Sequence, residues 1–493
     1  MTDTIDAPGK DIHQTISRKH KWMTLTAVGL SILMGTIDMS IVNVSLPILV
    51  DELDTNFSTV QWVILGYVLV NTSLMLGVAR LGDLYNKKTL YVAGLAIFTI
   101  GSFLCGLSWN IYWLIAFRVL QGLGGVFLQA LGMALVVEVF PLYERGRALG
   151  LIGGVVSVGL SSGPALGGII IGTLGWNWIF WINIPIGALA IYTLLRYVPS
   201  SGGRKEKQGF DLIGTLVMMI VLSCYALAMT RGQDSGFNQP LIQILLLTSG
   251  VGAMFFLLLE KRLKRPMVDL ALFRNILFGL GILMGFMTFI LLGGTMFLLP
   301  FFLKYVQGYP TQIVGLLLMV VPIGEGVISP VAGWLADRWG PLGIRLIGSI
   351  TIMFGCFLVS TIHAETTMLG YIARIFPLGM GIGTFQATNN TAVMGSVPGK
   401  RLGISSGLLA LSRNLGVTTG IPLVGTLFTA LILSTTGTAS MDISSVSASA
   451  ISYGFSRTYL WMGFFMLLPV ILGGISLWYA KTHPAAEVED LSP

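Results

Sequence analysis

Fourteen apolar runs, each at least 20 residues long, follow one another along this chain at 22–47, 60–79, 89–108, 111–137, 148–173, 178–198, 211–230, 240–260, 276–302, 313–334, 343–362, 367–394, 403–433 and 457–480. A helix of about 20 residues crosses the hydrocarbon core of a bilayer. Lipid leaves no water for unpaired backbone N–H and C=O groups, so such runs cross it as helices. Only 10% of the residues are charged, against about 25% in a soluble domain. The predicted class is therefore an all-α membrane protein with 14 transmembrane spans, and the lipid bilayer is its first partner.

The positive charges set the direction of threading. If the N-terminus lies inside, and residues at the ends of a span (Arg196, Arg345 and Arg457) are counted to the nearer side, 23 of the 29 Lys and Arg residues fall in interior segments, three outside and three deeper within spans (Arg118, Arg374 and Arg413). One miscounted span in the middle of the chain would scramble this bias. Both termini are thus expected in the cytoplasm, in a plasma membrane or bacterial inner membrane. The net charge of +7 is absorbed by these loops and implies no nucleic-acid partner. Cys105, Cys224 and Cys356 all lie within apolar runs, with no spacing that suggests a metal site or a disulfide framework.

A weak repeat divides the spans. Span 2 ends in Arg80-Leu81-Gly82-Asp83 with Lys87 and Lys88 following, and span 10 ends in Gly333-Trp334-Leu335-Ala336-Asp337-Arg338. Span 4 carries Arg118, Gln121 and Gly122, and span 12 carries Arg374, Gly379 and Gly381. Two homologous six-helix halves with two inserted spans between them give this pattern. The expected division is a tail at 1–21, a first bundle at 22–198, a linker with the inserted pair at 199–274, a second bundle at 275–480 and a tail at 481–493.

Ionisable groups inside spans cost at least ~2.5 kcal/mol each and mark function. Asp38 and Arg118 lie at similar estimated depths of ~14 and ~11 Å from one face, at ~1.5 Å per residue. A pair there could carry a proton or stand as a fixed ion pair. Glu325, between Gly324 and Gly326, is placed near mid-bilayer, where it could meet a cationic substrate, carry a second proton or pair with Arg374 or Arg413. Asp83 and Asp337, with neighbouring Lys87, Lys88, Arg147 and Arg338, are read as contacts that break and form as two halves rock. Gly159, Gly163, Pro164, Gly167 and Gly168 in span 5 are read as a thin contact face between the halves. Trp62, Tyr67, Phe289, Met284, Met287, Met296, Phe297, Met380 and Phe385 could line a soft binding pocket. The four histidines, His13, His20, His363 and His483, lie in tails or a loop. The two G-x-S-x-G matches at 159–163 and 403–407 thus have no base within a span, and no enzyme is expected. No P-loop sequence is present, which leaves an ion gradient, with no cofactor, as the energy source.

The motifs resemble the major facilitator superfamily, and within it the fourteen-helix drug:proton antiporters of the EmrB/QacA type. The resemblance rests on Ile37-Asp38-Met39-Ser40 through Pro47, Ala79 through Asp83 with Lys87 and Lys88, Arg118-Val119-Leu120-Gln121-Gly122, Gly159 through Gly168, Trp176 through Phe180 with Asn183 and Pro185, and Val268 through Arg274. Ala79 and Asn86 stand where the loop motif has glycine, and Asn177 where arginine is expected. The resemblance implies the major facilitator fold, alternating access, proton coupling through Asp38 and Arg118, gating at Asp83, and export rather than uptake; the acids Glu325 and Asp38 tilt the expected substrate towards small amphipathic cations. The alternatives are a dedicated exporter of one lipid, antibiotic, siderophore or metabolite, a carrier without ion coupling, and a membrane enzyme or sensor. Partners are a small-molecule substrate and protons, with an accessory envelope protein left open and the oligomeric state undetermined.

Overall fold

The computed structural model describes residues 18–140, 142–198, 212–262, 270–397, 402–436 and 446–483. Among them the regular elements are all helical, and 14 helices are long and apolar enough to cross a membrane. They are α1 (Arg18–Glu52), α2 (Trp62–Leu84), α3 (Lys87–Gly106), α4 (Ile111–Val139), α5 (Leu142–Leu174), α6 (Trp178–Tyr197), α7 (Leu212–Ser235), α8 (Pro240–Arg262), α9 (Ile276–Tyr305), α10 (Thr311–Trp339), α11 (Pro341–Val359), α12 (Met368–Gly395), α13 (Leu402–Thr436) and α14 (Ala448–Thr482). The even number of crossings returns Thr482 to the face from which Arg18 starts. This is the terminal face, and the opposite one is the distal face.

Three of these helices are broken, and each break falls three residues before a proline: Ile182 before Pro185 in α6, Met319 before Pro322 in α10, and Met466 before Pro469 in α14. Proline has no N–H for the carbonyl four residues back, and its ring crowds that carbonyl. The helix therefore re-forms around the proline. The last span begins at Ala448, nine residues ahead of its predicted start, because Ser447 caps the helix at Ala450 N and carries a polar extra turn or two beyond the apolar run.

The same helix pairs pack in both halves: α1 on α5, α2 and α3 on α4, and α1 and α3 on α6 are matched by α9 on α13, α10 and α11 on α12, and α9 and α11 on α14. Glycines let these backbones touch. A Cβ on Gly101 would lie 2.7 Å from Gln121 Cα, and one on Gly355 would lie 2.8 Å from Leu378 Cα. Gly124 meets Phe98 N as Gly381 meets Ile352 N, and Gly122 meets Tyr67 O as Gly379 meets Val321 O. These contacts fix the register of the repeat. The counterpart of Arg118, three residues before Gln121, is Ile375, three residues before Leu378. Arg374 is one residue out of phase, so its expected equivalence to Arg118 does not hold. Its guanidinium instead binds Thr361 Oγ1 at 3.0 Å and Gly370 O at 2.9 Å near the distal face.

The halves meet at the distal face. Lys304 of α9 forms an ion pair with Asp51 of α1 and donates to Pro47 O at 3.1 Å, while Tyr305 Oη donates to Asp51 Oδ1 at 2.9 Å. Phe57 lies 4.8, 4.9 and 5.6 Å from the rings of Phe297, Phe301 and Phe428. The α5 motif divides its contacts. Gly159, Gly163 and Gly167 pack on Thr36, Ser40 and Ile41 of α1, inside the first half, whereas Pro164 and Gly168 meet Thr311 and Gly315 of α10. The expected inter-half face is thus only the latter pair.

A Cβ on Gly315 would stand 2.2 Å from Pro164 O. Gly315→Val should cost this closed arrangement about 1–3 kcal/mol, a roughly five- to hundredfold fall in its population. Spin-label distances between the distal ends of α5 and α10 should lengthen; a distribution matching the parent protein would refute the assignment.

Candidate functional site

The most connected polar cluster lies inside the first half. Asp38 of α1 is fully buried, with Arg118 of α4 beside it. Arg118 Nη1 donates to Asp38 Oδ2 at 2.7 Å and to Gln121 Oε1 at 2.6 Å, and its Nε donates to Val63 O of α2 at 3.0 Å. Asp38 Oδ1 accepts from Gln121 Nε2 at 2.8 Å and from Asn183 Nδ2 of α6 at 2.9 Å. Those two amides also donate to Ser102 Oγ of α3, at 2.7 and 3.3 Å. The guanidinium lies 4.5 Å from the Tyr67 ring centroid, a cation–π contact away from water. A protonated carboxyl would need an acceptor, and Asp38 faces donors on both oxygens. The network is therefore built for the carboxylate, and it ties five helices (α1, α2, α3, α4 and α6) to one charge.

Sequence reasoning brought Asp38 and Arg118 together but gave no role to Ser102, Gln121 or Asn183. Gln121 and Asn183 were visible as polar residues inside apolar runs, the signal that marks buried hydrogen-bonding partners. Asn177, in place of arginine, donates to Gly106 O at 2.8 Å, and Asn86, in place of glycine, accepts from Thr89 N at 3.2 Å as the cap of α3. Both departures keep a local helix-end contact.

In the second half Glu325 is partly exposed and accepts a hydrogen bond from Gln386 Nε2 of α12 at 2.8 Å. By the repeat register its counterpart is Asn71, and that of Gln386 is Gln129. Arg413 of α13 stacks over the Phe289 ring at 5.4 Å and feels the Glu325 charge, without reaching ion-pair distance among the described residues. Arg413 is exposed and Glu325 half-buried, each on a helix that also meets the other half (α13 on α2, α10 on α5). Both side chains, with Gln386, therefore border the space between the halves.

The terminal-face residues behave differently. Lys87 reaches Glu138 of α4 at 3.6 Å, and Lys88 donates to Val198 O and Leu195 O at 2.5 and 3.1 Å. Both lysines hold the first half together. Asp337 is exposed and Arg338 lies over the Trp334 ring at 5.8 Å. The side chains of Asp83 and Arg147 lie outside the described residues. The expected soft pocket is largely core: Tyr67, Met284, Met287, Phe289, Phe297 and Phe385 are buried.

Arg345 of α11, counted with the loops by sequence, is fully buried. Its Nη1 reaches Asn389 Oδ1 at 3.2 Å, while Nε and Nη2 have no protein partner among the described residues. Replacing a poorly met buried charge by an apolar side chain of similar length is often neutral or stabilising. Arg345→Met should therefore leave the melting midpoint unchanged or raised, and a fall of more than about 5 °C, ~1–2 kcal/mol in a chain of this kind, would show that the guanidinium has a counter-charge.

With this geometry in view, the relatives are informative. The sequence matches the Major Facilitator Superfamily over residues 28–421. It is 32% identical over 410 residues to the riboflavin transporter RibZ of Clostridioides difficile, covering 83% of this chain and 89% of that one. It is 32% identical over 415 residues to the multidrug resistance protein Stp of Mycobacterium tuberculosis, covering 84% and 77% respectively. In fold it superposes on a bacterial homologue of the human lysosomal transporter Spinster with a TM-score of 0.67 at 16% identity, over 97% of this chain and all of the other. The chain belongs to the Major Facilitator Superfamily. It is a multi-pass membrane transporter rather than an enzyme, built as two six-helix bundles with two inserted helices.

Proposed function

We propose that the chain is a proton-coupled exporter of small amphipathic cations that works by alternating access. The observation that carries this reading is the Asp38 network: a carboxylate sequestered from solvent whose only counter-charge among the described residues, Arg118, is anchored on two other helices. The distribution of Lys and Arg puts the terminal face in the cytoplasm and the distal face outside. The arrangement described is then closed to the outside through Asp51, Lys304 and the α5–α10 contact. Proton uptake at Asp38 requires a donor to withdraw, because both oxygens already accept hydrogen bonds, and Arg118 on Oδ2 is the charged one. Arg118 is held by Val63 O on α2 and by Gln121 on its own helix, so a shift of α1 against α2 and α4 separates the pair. That shift is internal to the first half, so coupling needs α1 to move within its own bundle as the halves rock.

Glu325 takes the complementary role. It is reached from the space between the halves and has one neutral hydrogen-bond donor, which leaves room for a cation to compete with Arg413 for its charge. Asp83, Lys87, Lys88, Arg147, Asp337 and Arg338 are assigned to opening and closing the cytoplasmic side. The names of Stp and of further relatives described as multidrug resistance proteins support a broad substrate range. A dedicated carrier of one compound is the second reading, favoured by the equally similar riboflavin transporter. No cofactor is required; the proton gradient supplies the energy.

Proteoliposomes loaded with ethidium, under an imposed pH gradient, test the proposal. Each ~100 mV of driving force sustains a roughly fiftyfold concentration ratio per charge. Asp38→Asn should reduce that ratio to one while exchange of labelled for unlabelled substrate continues; gradient-driven accumulation by this variant would refute coupling through Asp38. Glu325→Gln should weaken binding of monovalent cations about tenfold, or ~1.4 kcal/mol, and leave neutral analogues unaffected. Equal loss for both would remove Glu325 from cation recognition. Riboflavin alone displacing ethidium, with other amphiphiles inert, would select the second reading.

A further inference from the structure

The two lateral seams between the halves are built differently. One lies between α5 and α10. Gly153, Ser157, Ser161, Pro164, Gly168 and Gly172 form one stripe of α5, three or four residues apart. At Pro164 and Gly168 this stripe touches Thr311 and Gly315, but a Cβ on Gly153 would meet nothing within 4 Å. On α10 beyond its break, Gly326 and Gly333 lie two turns apart on the side opposite Gly324, which packs on α12, and a Cβ on either would also meet nothing within 4 Å. The two helices thus touch near the distal face and part towards the terminal face. Large apolar residues beside the gap stand exposed: Val158 at 59%, Val327 at 61% and Trp334 at 56%.

The other seam lies between α2 and α13, where Asn414 Nδ2 approaches Met75 Sδ at 3.7 Å. The inserted α7 packs on both helices. Trp62 Nε1 of α2 donates to Thr230 Oγ1 of α7 at 3.1 Å, and Thr426 Oγ1 of α13 donates to Met229 O at 3.3 Å. Thr215, Met218, Leu222, Ala226 and Met229 form one buried stripe, while Ile213, Leu216 and Ile220 on the opposite side are exposed. At ~1.5 Å per residue that stripe covers about 21 Å, most of the hydrocarbon thickness. Helix α8 packs on α7 a quarter-turn or so away, through Ser249 Oγ on Val221 O at 3.0 Å.

We propose that α7 is a seal over the α2–α13 seam, which leaves the α5–α10 gap as the single lateral route among the described residues by which a membrane-dissolved substrate reaches the central space. The proposal rests on the export reading above for its substrate, an amphiphilic cation in the terminal-side leaflet, but not for its geometry. Such a molecule lies with its charge near the headgroups and its apolar body among the acyl chains. Sliding between α5 and α10, it keeps its apolar body against Val158 and Val327 and brings its charge to Glu325, the neighbour of Gly326. The carboxylate is bonded to Gln386 of α12, on the inner side of α10, so the proposed route needs no passage through bulk water. The inserted pair thereby makes access one-sided.

The test uses the full chain in nanodiscs. Cys105 and Cys356 are fully buried, so only Cys224 is replaced, by alanine. Bimane is attached at Gly153→Cys, at Leu247→Cys on the exposed face of α8, and at Ala226→Cys beneath α7. Acyl-chain-brominated lipid should quench the first to at least half the extent of the second, and Ala226→Cys should resist labelling. No lipid quenching at Gly153→Cys, or ready labelling and quenching at Ala226→Cys, would overturn the proposal. In a second arm, stopped-flow ethidium binding to Gly153→Trp should be at least fivefold slower in both directions, with Kd within twofold of the parent. Parent-like rates would equally overturn it. If the parent protein binds no amphiphilic cation, the export reading fails, and the lipid-quenching arm still decides the geometry.

Discussion

One buried charge pair organises the first half of this transporter. The Asp38 carboxylate accepts from Arg118, Gln121 and Asn183, and Arg118 reaches on to Val63 O. A carboxylate and a guanidinium taken out of water lose solvation worth several kcal/mol each, and their attraction offsets this only when the remaining donors and acceptors are also met. Here they are met by three further side chains and a backbone carbonyl. Removing any one partner leaves the others exposed to the same penalty, so the pair constrains five helices at once.

The second half repeats the architecture without the pair. The same glycine contacts set α12 against α10 and α11, but the residue in the Arg118 position is Ile375 and the one in the Gln121 position is Leu378, both buried in an apolar core. Its ionisable groups stand elsewhere: Glu325 and Arg413 border the space between the halves. The two bundles have thus diverged in chemistry while retaining packing. A charge locked inside one bundle and a charge exposed to the shared space in the other are what a carrier needs if its driving ion and its cargo are to be handled by separate groups.

The contact between the halves suits the rocking proposed above. At Pro164, Gly168 and Gly315 the backbones of α5 and α10 touch, and Gln312 lays its side chain on Gly172, so the contact is close and confined to the distal part of the two helices. The exposed Asp51–Lys304 pair adds little stability, since solvent-screened ion pairs are worth about 0–1 kcal/mol. Burial of Phe57 among Phe297, Phe301 and Phe428 adds more, by ~0.5–1.5 kcal/mol per favourable ring pair beyond area. A closed face held by a confined helix contact, an exposed ion pair and a small aromatic cluster is one that thermal motion and a bound ligand can open.

The fourteen crossings, the two-halves-plus-insertion plan and the depth match of Asp38 with Arg118 were all legible in the residues, because lipid imposes a one-dimensional rule: apolar length, charge in loops and rise per residue act along the chain. What sequence could not supply was phase. Arg374 and Arg118 look equivalent in the repeat, yet a one-residue offset turns a helix by about 100°, and Arg374 faces the distal loop instead. The same rotation separates Gly167, which packs within its own half, from Gly168, which meets the other. Arg345 counted with the interior cations at the start of its apolar run, but its helix starts at Pro341 and turns it into the core. Which face of each helix is turned to protein, lipid or the central space depends on packing against neighbours far away in sequence, and that only the tertiary structure decided.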